Sequence, residues 1–252
     1  MSEDTELLKK RFVELAKRSD GGGYFTFTDF LGLVEQSALA ECTRELRRIP
    51  ITLFGGVPGA ERVMARFGSP DELGYDEPFP ISIIKITPKQ QKFADRLTHR
   101  DFLGSLMNLG IERETLGDIA IIDNVGYLFS KAEISEFILS SLSKVRHTDV
   151  ICTLCDTLPE GELYRTEERR VQISSERLDA VVAKLFNLSR EDAQSYFKKR
   201  LVFVNGRQCE SVSYQPKEGE KVSVRTLGRF IWCGYESTSK KGKLNCKVLL
   251  YV

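Results

Sequence analysis

Between Ser175 and Arg225 the spacing of apolar residues changes from helical to alternating, and this order leaves few folds open. Leu178, Val181, Val182, Leu185 and Phe186 form one helical stripe, with Arg177 and Lys184 off it, two turns apart. Ser189 is placed to cap a second helix, with Asp192 three residues on as its capping partner. Ala193, Tyr196 and Phe197 of that helix face inward. Arg190, Gln194 and Lys198 recur every fourth residue as an outward polar row, flanked by Lys199 and Arg200. Val202 and Val204 then alternate with Phe203, and Asn205-Gly206 turns the chain into a hairpin toward Arg207. Gly219-Glu220 makes another turn before a strand from Lys221 to Arg225. Two short helices followed by hairpin strands predict a small α+β domain.

The same end of the chain carries the positive charge. Residues 165–252 hold 18 Lys and Arg against 10 Asp and Glu, a net of +8, whereas residues 1–164 hold 19 against 26, a net of −7. The overall +1 hides this split, and local field governs the response to a polyanion. Lysine and arginine neutralise phosphates, the helix start after Ser189 offers free N–H groups, and Gln194 can hydrogen-bond a base edge or a 2′-hydroxyl. Taken alone, Arg190, Gln194 and Lys198 are better explained as a solvated helix face; charge and motif order together favour RNA.

Upstream, residues 1–78 read as a small α/β region. A helix is expected over residues 5–18, ending at Gly21-Gly22-Gly23. Thr28 and Asp29 offer caps for a second helix through about Leu46, Ile51–Phe54 reads as a strand, and Pro58 suits the start of a helix running to Phe67. A connection over residues 68–79 leads to a domain over 79–160. There the pattern predicts a strand at Ile81–Ile86, a helix over 101–109 capped by Thr98, and strands at Asp118–Ile122 and Tyr127–Ser130 around a turn at Asn124-Val125-Gly126. A helix over Ala132–Ser143, with Ile134, Phe137, Ile138 and Leu142 on one side, and a strand at Val150–Leu154 complete a βαββαβ, ferredoxin-like order. RNA-recognition domains use this order and stack bases on aromatics of their central strands, for which Tyr127 and Phe129 are the candidates. The third domain spans 165–252.

Sharper chemistry finds little support. Gly55 to Arg62 lacks the Lys-Ser/Thr ending of a P-loop and reads as a tight turn. His99 and Asp101 have no nucleophile nearby and suit helix capping with a surface RNA contact. Cys152 and Cys155 have metal-like spacing, but without a second pair they read as packed thiols, and no metal or cofactor is expected. Phe230 and Trp232 are candidate stacking aromatics, with one of the two expected inside. No apolar run reaches the roughly 18 residues of a membrane span. The acidic start Met1-Ser2-Glu3-Asp4 does not resemble a signal peptide, so cytoplasmic residence is expected. The six scattered cysteines fit that expectation.

Arg177-Leu178-Asp179, Ser189-Arg190, Val202 to Gly206 and Gly219-Glu220, in this order, resemble the S4 RNA-binding domain over about fifty residues, with Gly-Glu where Gly-Asp is more usual. The resemblance implies that Arg177, Ser189, Arg190, Gln194, Lys198, Lys199 and Asn205 face RNA and that Asp179 orients an arginine. Lys184, Arg200 and Arg207 extend that surface, and His99, Arg100, Arg113 and Arg229 are secondary candidates. Phe54 to Arg62, Leu97 to Gly104, Gly110 to Glu114 and Gly117 to Ile119 resemble signatures of the YlmH-type S4-domain proteins, which extends the resemblance over nearly the whole chain. That bacterial family, often encoded near cell-division genes, places an RNA-recognition-like domain before the S4 domain. It is similar to small S4 proteins that bind large ribosomal subunits carrying stalled peptidyl-tRNA. The resemblance therefore implies rRNA or tRNA as partner, no small-molecule substrate and a role in ribosome-associated quality control. The alternatives are an RNA-modifying enzyme with an S4 appendage and a division-linked interaction adaptor. Against the first, the chain shows no glycine-rich nucleotide loop and no synthetase signature. Arg177-Leu178-Asp179 belongs to the S4 match rather than to a pseudouridine synthase motif.

Overall fold

The structure, a computed structural model, describes residues 3–42, 45–155, 158 and 164–251. It divides into two compact units, residues 1–163 and 164–252. The expected domain end at residue 160, and the N-terminal reading where it rests on Met1 and Ser2, lie outside the described residues.

The first unit opens with α1 (Glu3–Gly22), β1 (Thr26–Phe27), α2 (Leu33–Glu41), β2 (Ile51–Phe54), β3 (Met64–Phe67) and the one-turn α3 (Pro70–Leu73). The three strands form an antiparallel sheet in the order β1-β3-β2, and α1 and α2 pack on it through Phe12, Ala16, Leu39 and Phe67. Helix α1 continues through Gly21 and Gly22, past the expected stop. Two other expectations fail here. Thr28 does not cap α2. Its buried hydroxyl donates to the Asp29 carbonyl (2.7 Å) and accepts from the Ala65 N–H (2.9 Å), so it stitches the sheet, and α2 starts after Gly32. The expected end near Leu46 crosses residues 43 and 44, outside the described residues. Pro58 opens no helix. The chain runs instead into β3, which is central, pairs on both edges and buries all four of its residues. Partners on both sides outweigh the weak helical preference of a short segment.

The same unit continues with β4 (Ile81–Pro88), α4 (His99–Asn108), β5 (Leu116–Ile122), β6 (Val125–Lys131), α5 (Ala132–Ser141), β7 (Lys144–Val145) and β8 (Thr148–Leu154). The sheet order is β5-β6-β4-β8-β7, all antiparallel. Without the two-residue β7, this is the ferredoxin-like arrangement. Thr98 caps α4 in a reciprocal box with Asp101. The β5–β6 turn sits one residue earlier than expected. Asp123 (φ 49°) and Asn124 (φ 66°) supply the two left-handed residues such a hairpin needs, which places Val125 and Gly126 in the strand. On α5, Ile138 and Leu142 are buried, but Phe137 points away and is 47% exposed.

Ile84, Ile86, Leu128 and Ile119 meet α4 and α5 on one face of this sheet. The opposite face holds Phe129, which packs with Phe30 and Met64 of the N-terminal region. Gly56 (φ +95°) and Gly117 permit the approach: a Cβ at Gly56 would lie 2.4 Å from the Phe129 ring, and one at Gly117 2.7 Å from the Phe30 ring. Both candidate stacking aromatics, Tyr127 and Phe129, are therefore buried.

The second unit contains β9 (Thr166–Ile173), α6 (Leu178–Leu185), α7 (Arg190–Lys198), β10 (Val202–Val204), β11 (Arg207–Gln208), β12 (Lys221–Val224), β13 (Gly228–Thr238) and β14 (Leu244–Tyr251). Its six strands form one antiparallel sheet, β11-β10-β12-β13-β14-β9. Leu178, Val181 and Val182 of α6 and Ala193 and Phe197 of α7 pack on Val222, Val224, Phe230, Trp232 and Val248. Phe230 and Trp232 are two residues apart and so share a face. Both are inside, at 0% and 1% exposure, and neither is a stacking platform. No described helix is long and apolar enough to cross a membrane.

Candidate nucleic-acid interface

At the junction of α6 and α7 the Asp179 carboxylate is fully buried and surrounded by the cations the sequence singled out. Arg177, the residue before α6, grips it with two hydrogen bonds, Nε to Oδ1 at 3.1 Å and Nη2 to Oδ2 at 3.0 Å. Gln194 donates from Nε2 to Oδ2 at 2.9 Å, and the Arg190 guanidinium lies 3.5 Å from the same oxygen. Burial alone would raise the carboxyl's pKa. Hydrogen bonds from Gln194 and Arg177, and the charges of Arg177 and Arg190, outweigh it and hold the pKa below the ordinary value. One buried anion thus fixes two arginines and a glutamine from two helices, leaving Arg190 58% exposed and Arg177 32%.

Three expected RNA-facing groups are already engaged inside the protein. The Gln194 amide nitrogen is held by Asp179. The Ser189 hydroxyl donates to Asp192 Oδ2 (2.7 Å) and accepts from the Asp192 N–H (3.0 Å), which secures the start of α7. The Asn205 Oδ1 accepts from the Lys221 N–H at 2.9 Å and holds the hairpin turn in which Asn205 (φ 49°) and Gly206 (φ 76°) are both left-handed. Lys198 and Lys199 are exposed at the end of α7 and make no ion pair among the described residues. Lys184 is exposed in the last turn of α6 and Arg207 on β11, while Arg200 lies 3.4 Å from Glu210.

The secondary candidates divide differently. Arg229 is clasped between Tyr164 and Tyr251, 4.5 and 4.2 Å from their ring centres, and serves packing. His99 and Arg100 are exposed at the start of α4. The atoms crowded around His99, and then the Arg113 charge, push its pKa down even though the side chain reaches solvent. Arg113 itself is a clamp. It donates to the Leu116 carbonyl at 2.7 Å, beside Arg62, which donates to the carbonyls of Leu116 (2.8 Å) and Phe30 (2.8 Å). Desolvation, then the neighbouring Arg62 charge, lowers Arg113 to about 10. Asp118 accepts the backbone N–H groups of Glu61 (2.7 Å) and Arg62 (3.1 Å), so the stretches 54–62 and 110–118 form a structural joint. Cys152 donates to the Leu142 carbonyl, and burial pushes its thiol up to about 11. Among the described residues no cluster of three or more His, Cys, Asp or Glu is placed to hold a metal.

Sequence reasoning missed the Arg229 clasp and the Arg62–Asp118 joint, because their partners lie 22 to 65 residues away and carry no periodic signal.

Comparisons with known proteins agree with this architecture. Residues 75–157 match the family described as "Putative RNA-binding domain in YlmH", and residues 176–222 match the S4 domain. The chain is 30% identical over 227 residues to Ribosome-associated protein quality control protein P2 of Bacillus subtilis (strain 168), covering 86% of this chain and 83% of that protein. It also aligns with the structure of Cell division protein ylmH from Streptococcus pneumoniae at a TM-score of 0.48 and 21% identity, over 62% of this chain and 93% of that one.

Proposed function

The chain belongs to the YlmH family of S4-domain proteins, and on that premise we propose that it binds rRNA and tRNA on the large ribosomal subunit, serving quality control of stalled peptidyl-tRNA without catalysing a reaction. The observation that carries this reading is the Asp179 cluster. A buried carboxylate presents Arg177 and Arg190 at fixed positions at the starts of α6 and α7, with the unpaired Lys198 and Lys199 at the far end of α7. From Arg190 to Lys198 is eight residues, about 12 Å along the helix, which is about two phosphate spacings along one strand. Such a row suits a structured backbone better than a small substrate.

The middle domain contributes differently. Its aromatic sheet face is occupied by the N-terminal region, so it does not bind RNA by stacking bases on Phe129. It positions the S4 domain, with Arg100 as a local contact.

The test is the double variant Arg190→Ala, Lys198→Ala in the full chain. Both side chains are largely exposed, and without Arg190 the buried Asp179 keeps Arg177 and Gln194, so folding should shift by about 1 kcal/mol or less. RNA affinity should fall at least about tenfold, roughly 1.4 kcal/mol, with a shallower salt dependence and a parallel loss of co-sedimentation with ribosomal subunits. A variant that melts, binds and sediments as wild type does would reduce this face to solvated surface.

A further inference from the structure

The hairpin formed by β13 and β14 lies outside the S4 match, which ends at residue 222. Its tip is built and held by backbone. The Ser239 N–H donates to the Lys243 carbonyl (2.7 Å), the Gly242 N–H to the Ser239 carbonyl (2.9 Å), and the Lys243 N–H to the Ser239 hydroxyl (3.0 Å), with Gly242 left-handed at φ 73°. No lysine side chain takes part in these bonds. Lys240, Lys241 and Lys243 are all exposed and make no ion pair among the described residues. Glu236, the acid nearest in sequence, is held by Arg170 at 3.0 Å. Three cations within four residues therefore stand on a rigid turn with no structural task.

Their place in the sheet gives them a direction. Leu244 pairs with Ile173, and the Gln172–Asn245–Ser237 side-chain ladder (3.0 Å at each step) fixes the three strands together there. Ile173 is four residues before Arg177, so the tip stands at the end of the sheet from which the chain enters α6 and the Asp179 cluster. Exposed Tyr235, its hydroxyl 2.8 Å from that of Thr238, adds an aromatic ring on the same arm. The arm offers no apolar cluster for insertion into a bilayer, whereas paired cation and aromatic groups suit a nucleic acid.

We propose that the β13–β14 hairpin tip is a second RNA contact, in which Lys240, Lys241 and Lys243 engage backbone phosphates beyond the S4 face. This rests on the S4 unit binding RNA, and the test separates the two claims. Full-length wild type, Lys240→Ala/Lys241→Ala/Lys243→Ala, the corresponding triple Arg variant and Arg190→Ala/Lys198→Ala are titrated with an unmodified tRNA transcript across salt concentrations. One phosphate contact at 0.15 M salt contributes about fivefold, and each steepens the log–log salt slope by about 0.7 to 0.9. The triple Ala variant should bind at least about fivefold more weakly with a slope shallower by about 2, melt as wild type does, and regain affinity as the Arg variant. Unchanged affinity and slope in the triple Ala variant, while the Arg190/Lys198 variant is weakened, would overturn the tip contact and leave the S4 reading standing. Weakening by the tip variant alone would support the tip and overturn the S4 face. Intact RNA binding with loss of adsorption to phosphatidylserine vesicles would make the tip a membrane contact and overturn the proposal.

Discussion

Replacing Asp179 by Asn separates positioning from simple charge. The change keeps size and one acceptor oxygen but removes the charge that Arg177, Arg190 and Gln194 share. Hydrogen bonds to a charged group contribute about 1.5–3 kcal/mol each, and breaking a buried pair costs about 3–5 kcal/mol. Arg190 is largely exposed and Arg177 partly so, and water replaces much of what they lose. The expected cost is therefore about 2 kcal/mol. Trp232 is the only tryptophan and lies in the core of the second unit, so its fluorescence reports denaturant unfolding of that unit. The pH dependence has a fixed sign. The carboxyl's pKa is depressed in the fold, so its contribution is present above the unfolded value near 3.8 and is lost as pH falls through the lower folded value. Wild type and Asp179→Asn should differ at neutral pH and converge in acid. For RNA, removing a negative charge should tighten binding if only net charge matters, whereas loss of arginine positioning should weaken it. Asp179→Asn binding as tightly as wild type or tighter, with unchanged unfolding, would refute the positioning role.

Gly56→Ala should destabilise the first unit by at least about 2 kcal/mol, because its Cβ would meet the Phe129 ring at 2.4 Å on a backbone at φ +95°; circular-dichroism melts check this, and RNA affinity should change little in the folded fraction. Cys152 should alkylate slowly: a thiol at about 11 instead of 9.0 has roughly a hundredfold less thiolate at pH 8, which mass-spectrometric mapping after brief iodoacetamide treatment would show.

The S4 helices were legible because their information is local. The stripe from Leu178 to Phe186, the Ser189 cap and Asn205-Gly206 each act within a few residues, and the structure places α6, α7 and the hairpin there. The ferredoxin-like order followed from strand and helix periods in the same way. Strand β9 escaped, because only Val171 and Ile173 of its eight residues turn inward and its partner β14 lies at the far end of the chain. Pro58 to Phe67 misled for a related reason: local preference suggested a helix, and pairing of β3 with two distant strands decided otherwise. The candidate site divides along the same line. Sequence placed the basic residues on the correct helices, since helical spacing sets outward direction. Only the tertiary structure decided which polar groups remain free for RNA. Gln194, Asn205, Arg113 and Arg229 are consumed by partners at sequence distances of 3 to 65 residues, while Arg190, Lys198 and Lys199 stay exposed. A side chain's hydrogen-bond capacity is finite, and which neighbour claims it is settled when the elements pack.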